Sequence, residues 1–195
     1  MRCVWLCLLV ACGTSGGEPG AGVVDGSAAG DPDATNGSDD RLYPLAVDRV
    51  WTYDVVSTYP SCPGGSREQR VIGTGTRDGR ATFRVTGFCG STGDTFVDGD
   101  RVEDYYDWGP VGWYRSLDEP VVDGHTWTTT NGSATFTQTY DEIGAFAGHA
   151  DCWKVTQNVS YTSYWIYCRG VGLVKYEIID LGGGTIRADL RSVSR

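Results

Sequence analysis

From Leu42 onward the apolar residues of this chain recur at every second position, in short runs that end in turn dipeptides. "VWTYDVVSTY" puts Trp51, Tyr53 and Val55 on one parity, and "ATFRVTGF" sets Phe83 and Val85 together against Thr82, Arg84 and Thr86. "SATFTQTY" aligns Ala134, Phe136 and Tyr140 in the same way. A period of two places alternate side chains on opposite faces of a strand, so each run can bury one face only against a partner sheet or its own curved interior. Asp78-Gly79 and Asp98-Gly99, between runs, are dipeptides that tolerate the left-handed backbone of a two-residue hairpin. No window carries a helical period, and only "DEIGAFAGHAD" leaves room for one helical turn. The expectation is an all-β single domain over 42–195. It is a curved antiparallel sheet, half-barrel or sandwich-like, with little or no helix.

Two segments echo one another. "PLAVDRVWT" runs from Pro44 to Trp51-Thr52, and "PVVDGHTWT" runs from Pro120 to Trp127-Thr128 at the same spacing. Each reads as a turn feeding a strand that opens on a buried tryptophan, so strands are expected to start near Trp51 and Trp127.

Ahead of this body the chain has a different character. Met1 to Ala11 is one arginine followed by "CVWLCLLVA", a short apolar run that ends in a small residue before Cys12. That is the grammar of an export signal over 1–11. "LVAC" (Leu9, Val10, Ala11, Cys12) resembles the bacterial lipobox. The resemblance implies cleavage before Cys12, a diacylglycerol on its thiol and an acyl chain such as palmitate on the new amino terminus. Together these chains would hold the protein on a membrane, since stable anchoring takes more than one. Gly13, where an aspartate would retain such a protein at the inner membrane, points to the outer membrane, on its periplasmic or surface face. Eleven residues with a single base is short for such a signal, so a start upstream of Met1 is one expectation.

Residues 13–41, "GTSGGEPGAGVVDGSAAGDPDATNGSDDR", hold eight glycines, five aspartates and no aromatic residue. Such a stretch cannot bury enough surface to offset its chain entropy, so 12–41 is expected to be an anchor and a flexible tether. Asp31, Asp33, Asn36, Asp39 and Asp40 are oxygen donors, but their spacing departs from a calcium loop and no closing glutamate follows. The charge of -9 is concentrated here, because Glu18, Asp25, Asp31, Asp33, Asp39 and Asp40 face only Arg2 in the first forty residues. The body is close to balance. With no strongly basic field to gather phosphates, a nucleic-acid partner is not expected.

With Cys3, Cys7 and Cys12 assigned to signal and anchor, Cys62, Cys89, Cys152 and Cys168 remain, an even number in an exported chain. "CWKVTQNV" and "YTSYWIYC" read as a hairpin folding about Ser160, which sets Cys152 opposite Cys168 within disulfide reach. Cys62 then pairs with Cys89 across the hairpin at Asp78-Gly79. Neither pair has the CxxC spacing of a zinc site.

Toward the carboxyl end, "HADCWKVT" and "YWIYCRGVGLVKYE" resemble a recurring pattern in uncharacterised bacterial lipoproteins, whose domains open "PL-x-V-G-x-x-W-x-Y" and close "YYAxGVGLVK". Here the opening is Pro44, Leu45, Val47, Trp51 and Tyr53, with Asp48 in place of glycine. The close is Tyr167, Gly170, Val171, Gly172, Leu173, Val174 and Lys175, and Ala147, Gly148, Cys152, Lys154 and Val155 supply a middle element. The resemblance implies an open antiparallel sheet curled round an apolar interior, in some fold relatives a carrier or receptor of lipid or lipoprotein. Gly170 and Gly172 would let a strand bend there.

Signals for chemistry are few. His125 and His149 are the two histidines, and neither lies in a metal-binding pattern. His149, Asp151 and Glu142 form one candidate acid–base cluster. "DGDRVEDYYD", with Asp98, Asp100, Glu103, Asp104 and Asp107, reads as a charged loop. "IGTGTRDG" leads to a hairpin rather than a helix, so it makes no phosphate cradle. No enzyme activity, cofactor or metal is expected. "YYDWGPVGWYR" is the most suggestive stretch, its Tyr105, Tyr106, Trp108, Trp113 and Tyr114 gathered about a Gly-Pro turn. Two functional expectations follow. One is a binder of an apolar ligand or a partner envelope lipoprotein, its interior lined by Trp51, Phe83, Trp127, Phe136 and Trp165. The other is a glycan- or envelope-binding surface built on Trp108, Trp113 and Tyr114.

Overall fold

A computed structural model describes residues 39–107, 111–131, 134–158, 162–179 and 184–195. Twelve strands form one sheet: β1 (Val50–Ser57), β2 (Gly65–Arg77), β3 (Arg80–Thr86), β4 (Thr92–Asp98), β5 (Arg101–Tyr106), β6 (Gly112–Leu117), β7 (Thr126–Asn131), β8 (Ala134–Phe146), β9 (His149–Asn158), β10 (Thr162–Cys168), β11 (Gly172–Ile179) and β12 (Thr185–Ser194). No described residue is helical. The helical turn allowed for in "DEIGAFAGHAD" is instead the β8–β9 hairpin, closed by Ala147 and Gly148 at positive φ.

All neighbours pair antiparallel, in the order β6-β5-β4-β3-β2-β1-β12-β11-β10-β9-β8-β7. Two six-stranded meanders are therefore joined edge to edge by the β1–β12 ladder. The two outer edges then meet. Arg115 N–H donates to Thr129 Oγ1 (3.0 Å), and Trp127 Nε1–H donates to the Arg115 carbonyl (3.3 Å). Tyr140 O–H donates to the Asp118 carbonyl at 3.0 Å. Side chains thus close the β6–β7 seam of a nearly closed barrel. Closure shields edges that would otherwise offer unpaired backbone to another chain.

The echo in sequence is an echo in structure. The Arg49 amide bonds the Ala46 carbonyl as the His125 amide bonds that of Val122. The amides of Asp48 and Gly124 then reach Val71 and Tyr140 on β2 and β8, and these return to Arg49 and His125. Asp48 (φ 69°) and Gly124 (φ 75°) hold the same left-handed position, which explains why glycine suits the place Asp48 occupies. Both halves continue with a 13-residue strand, β2 and β8, and a two-residue turn at positive φ.

The barrel interior has two zones. At one end Leu42–Ala46 enters the lumen as a plug, and Leu42, Leu45, Trp51, Leu117, Trp127 and Tyr140 pack solid around it. Leu42 is tied there by its amide to Asp100 Oδ1 at 2.8 Å. Gly172 shows how close the fit is: a Cβ at its φ of 99° would lie 2.9 Å from Trp51 Nε1. Trp51 Nε1–H and Tyr53 O–H donate to the carbonyls of Val171 and Leu173, which is the physical use of the Gly-Val-Gly-Leu corner. Asp39–Arg41 dock on the outside of this end, where the Gly170 amide bonds the Arg41 carbonyl and Arg169 pairs with Asp100 at 2.7 Å.

Candidate functional site

The other end of the barrel is hollow. A half-enclosed cavity of about 390 Å³ lies between the Tyr59–Cys62 and Gly87–Ser91 loops at its rim and Tyr43, the last ring of the plug, at its floor. The Cys62–Cys89 disulfide ties the two rim loops together. The second bridge, Cys152–Cys168, joins facing residues of β9 and β10 on the outer surface, beside Ile166 and Val174. Both pairings are those read from the hairpins.

Alternation decides which side chains face the lumen. On β10, Ser163, Trp165 and Tyr167 point inward, and Tyr164, Ile166 and Cys168 point out. On β5 and β6, Asp104, Tyr106, Tyr114 and Ser116 line the cavity, and Glu103 and Arg115 pair on the outer face. The walls are mainly aromatic, with Phe88, Phe136, Trp165 and Tyr176 among them. Phe88 packs between Tyr53 and Tyr176, with centroids 5.4 and 5.5 Å away.

Polar side chains share the lining, among them Gln69, Thr95, Asp104, Ser116 and Gln157. Asp104 accepts hydrogen bonds from Thr95 Oγ1 (2.7 Å) and from Ser116 Oγ. Burial pushes its carboxyl above the usual range, and those two hydroxyls pull it part of the way back. Across the lumen Tyr114 O–H donates to Gln157 Oε1, and Gln138 Nε2 donates to Tyr114 Oη at 2.5 Å. Tyr43 accepts from Gln69 at the floor. Ser163 is 1% exposed and lines the cavity, yet its hydroxyl has no hydrogen-bond partner, which is uncommon for a buried polar atom.

The expected site residues divide. Of the five proposed cavity liners, Phe136 and Trp165 face the chamber. Trp51 and Trp127 belong instead to the packed end, and Phe83 packs at the margin of that core. The sequence shows parity within a strand but not how far along the barrel a residue falls. Of the three platform residues, Trp113 and Tyr114 do not share a face. Trp113 faces outward under Arg80, 4.9 Å from its guanidinium, and Tyr114 faces the lumen. Trp108 lies outside the described residues. The charged "loop" is the β4–β5 hairpin, which turns at Gly99-Asp100 and carries Glu103 and Asp104 on opposite faces of a strand. His149, Asp151 and Glu142 do not converge: Asp151 pairs with Arg169 (3.1 Å) and Trp153 Nε1 (2.8 Å), and Glu142 is exposed. His125 lies against Asp118 (3.2 Å) and stacks on Trp127. Among the described residues no group of histidine, cysteine or carboxylate side chains has the arrangement of a metal site. No described helix is long and apolar enough to cross a membrane. Cys12, Asp31, Asp33 and Asn36 lie outside the described residues.

No family model matches the chain, and no curated protein does. Among solved structures it is similar to a putative lipoprotein from Parabacteroides distasonis. The two are 13% identical over 80% of this chain and 99% of that one, with a TM-score of 0.41.

Proposed function

We propose that this chain is an exported, lipid-anchored binding protein of the bacterial outer membrane, whose barrel holds a small ligand with an apolar body. The observation that carries the binding part is the chamber itself. A barrel of twelve strands is too wide for wall side chains alone to fill, and here Leu42–Ala46 plugs one end while the other keeps about 390 Å³ with aromatic walls and an unpartnered buried hydroxyl at Ser163. Two disulfides fit an oxidising compartment outside the cytoplasm. The "LVAC" segment supports attachment through Cys12, and the Gly/Asp-rich stretch after it supports a tether. Asp39–Arg41, the described end of the tether, lie at the plugged end and leave the mouth of the chamber clear. An inward Tyr114 and an outward Trp113 favour this reading over a glycan platform.

The test is mass spectrometry of the full chain expressed in a bacterium, under native and denaturing conditions. The expected result is a mature chain beginning at Cys12 with acyl mass, unmodified when Cys12→Ser is introduced, and a small-molecule adduct released on unfolding. An unlipidated wild-type chain retained in the cytoplasm would overturn the anchoring.

A further inference from the structure

We infer that the ligand of the chamber is an organic cation, an amine or quaternary ammonium on an apolar body, with its charge held by the Asp104 carboxylate and the tyrosine rings around it. This deepens the binding reading above and rests on it.

Two neighbouring carboxylates on β5 make the case. Glu103, on the outer face, is 5% exposed and meets Arg80, Arg101 and Arg115. Asp104, on the inner face, receives only the hydroxyls of Thr95 and Ser116. Among the described residues lining the cavity there is no lysine, arginine or histidine, and the charged ones are Asp94, Asp104 and Asp107. A carboxylate in apolar surroundings is expensive unless a cation meets it. Among the described residues the fold supplies arginines freely to Glu103 and none to Asp104, so a cation that enters the chamber meets an unmatched carboxylate.

The walls suit such a guest. Tyr43, Tyr106, Tyr114 and Tyr167 share the cavity with Asp104, and a ring face attracts a cation through its quadrupole. A cavity of about 390 Å³ falls in the range of small-molecule sites. The same chemistry excludes a fatty acid or a phosphate ester, whose negative charge would meet Asp104 with no basic residue to receive it.

The test is a titration of the full chain carrying Cys12→Ser, at neutral pH, with three probes of one chain length: decyltrimethylammonium, decan-1-ol and decanoate. Each is kept below its micelle concentration and followed by calorimetry. The expected order is cation first by about tenfold or more over the alcohol, with decanoate weakest. Asp104→Asn is expected to erase the advantage of the cation over decan-1-ol. If decan-1-ol binds the Asp104 protein as tightly as the cation does, the charge assignment is overturned and the chamber reading survives. If none of the three binds, the chamber reading itself falls. The three-probe order in the unsubstituted chamber stands without any lumen variant.

Discussion

The two ends of the barrel are built from the same strands and differ in what fills them. At the plugged end Leu42–Ala46 threads the lumen, and tryptophans and tyrosines that could line a cavity instead pack against leucines. At the hollow end no described segment enters, and the rim loops are tied by a disulfide whose Cys62 reaches the edge of the core. A barrel of this circumference needs either a plug or a ligand, and this chain uses its own amino-terminal segment at one end only. Stability therefore belongs to the first end, and specificity to the second.

That division gives an ordered set of expectations. Trp51→Ala, at the centre of the packed end, should cost about 3–5 kcal/mol in urea unfolding. A much smaller loss would mean that the plug is not the structural half. Replacing Cys62 and Cys89 together by serine should cost about 3 kcal/mol from the freed rim, measured against the oxidised protein. Glu103→Gln should cost about 2 kcal/mol at pH 7, by loss of charge-assisted hydrogen bonds to partly exposed arginines. Those arginines hold the Glu103 carboxyl below its ordinary range against the opposing effect of burial. Its contribution is thus complete above the unfolded-state value and is lost as pH falls through the lower folded value. The gap between wild type and variant should close on acidification. Trp165→Ala, on the chamber wall, should cost only about 1–2 kcal/mol because the ring already borders open space. It should nonetheless weaken binding of decyltrimethylammonium by a larger factor than Trp51→Ala does among molecules that remain folded.

Asp104→Asn is the smallest change in stability and the most telling in sign. The Asp104 carboxyl is raised by burial. Its contribution is therefore most favourable below the unfolded-state value and declines as pH rises through the folded value. The asparagine variant should then unfold at a slightly higher temperature than wild type at pH 7, and the two should converge toward acid. One β5 residue stabilises by its charge and its neighbour is destabilised by it, which is what a binding residue inside a structural barrel should look like.

Much of this was legible in the residues. Period two, the Asp-Gly turns and the absence of a helical period gave the curved all-β sheet, and the Pro44 and Pro120 echoes marked where each half begins. Hairpin symmetry paired Cys152 with Cys168 and left Cys62 for Cys89. The chamber was not legible, because parity separates inside from outside but not plugged from hollow. "PLAVDRV" looks like a turn feeding a strand, and only closure of the sheet reveals that Leu42–Ala46 lies within it. Asp104 was hidden among five acids in ten residues, a pattern that reads as solvated until register assigns its face. The signal that could have found it was the alternation in "RVEDYY" itself, where Val102, Asp104 and Tyr106 share a parity.

The central claim, that the hollow end is a ligand chamber, is tested most directly by filling it. Ser163→Trp places an indole at a buried position on the chamber wall, where the serine hydroxyl has no hydrogen-bond partner. Titration with the neutral fluorophore N-phenyl-1-naphthylamine should show saturable one-to-one binding to the unsubstituted chamber. The account predicts loss of that binding in Ser163→Trp among molecules that remain folded. Equal binding by both proteins, with the variant folded, would place the ligand elsewhere and contradict it.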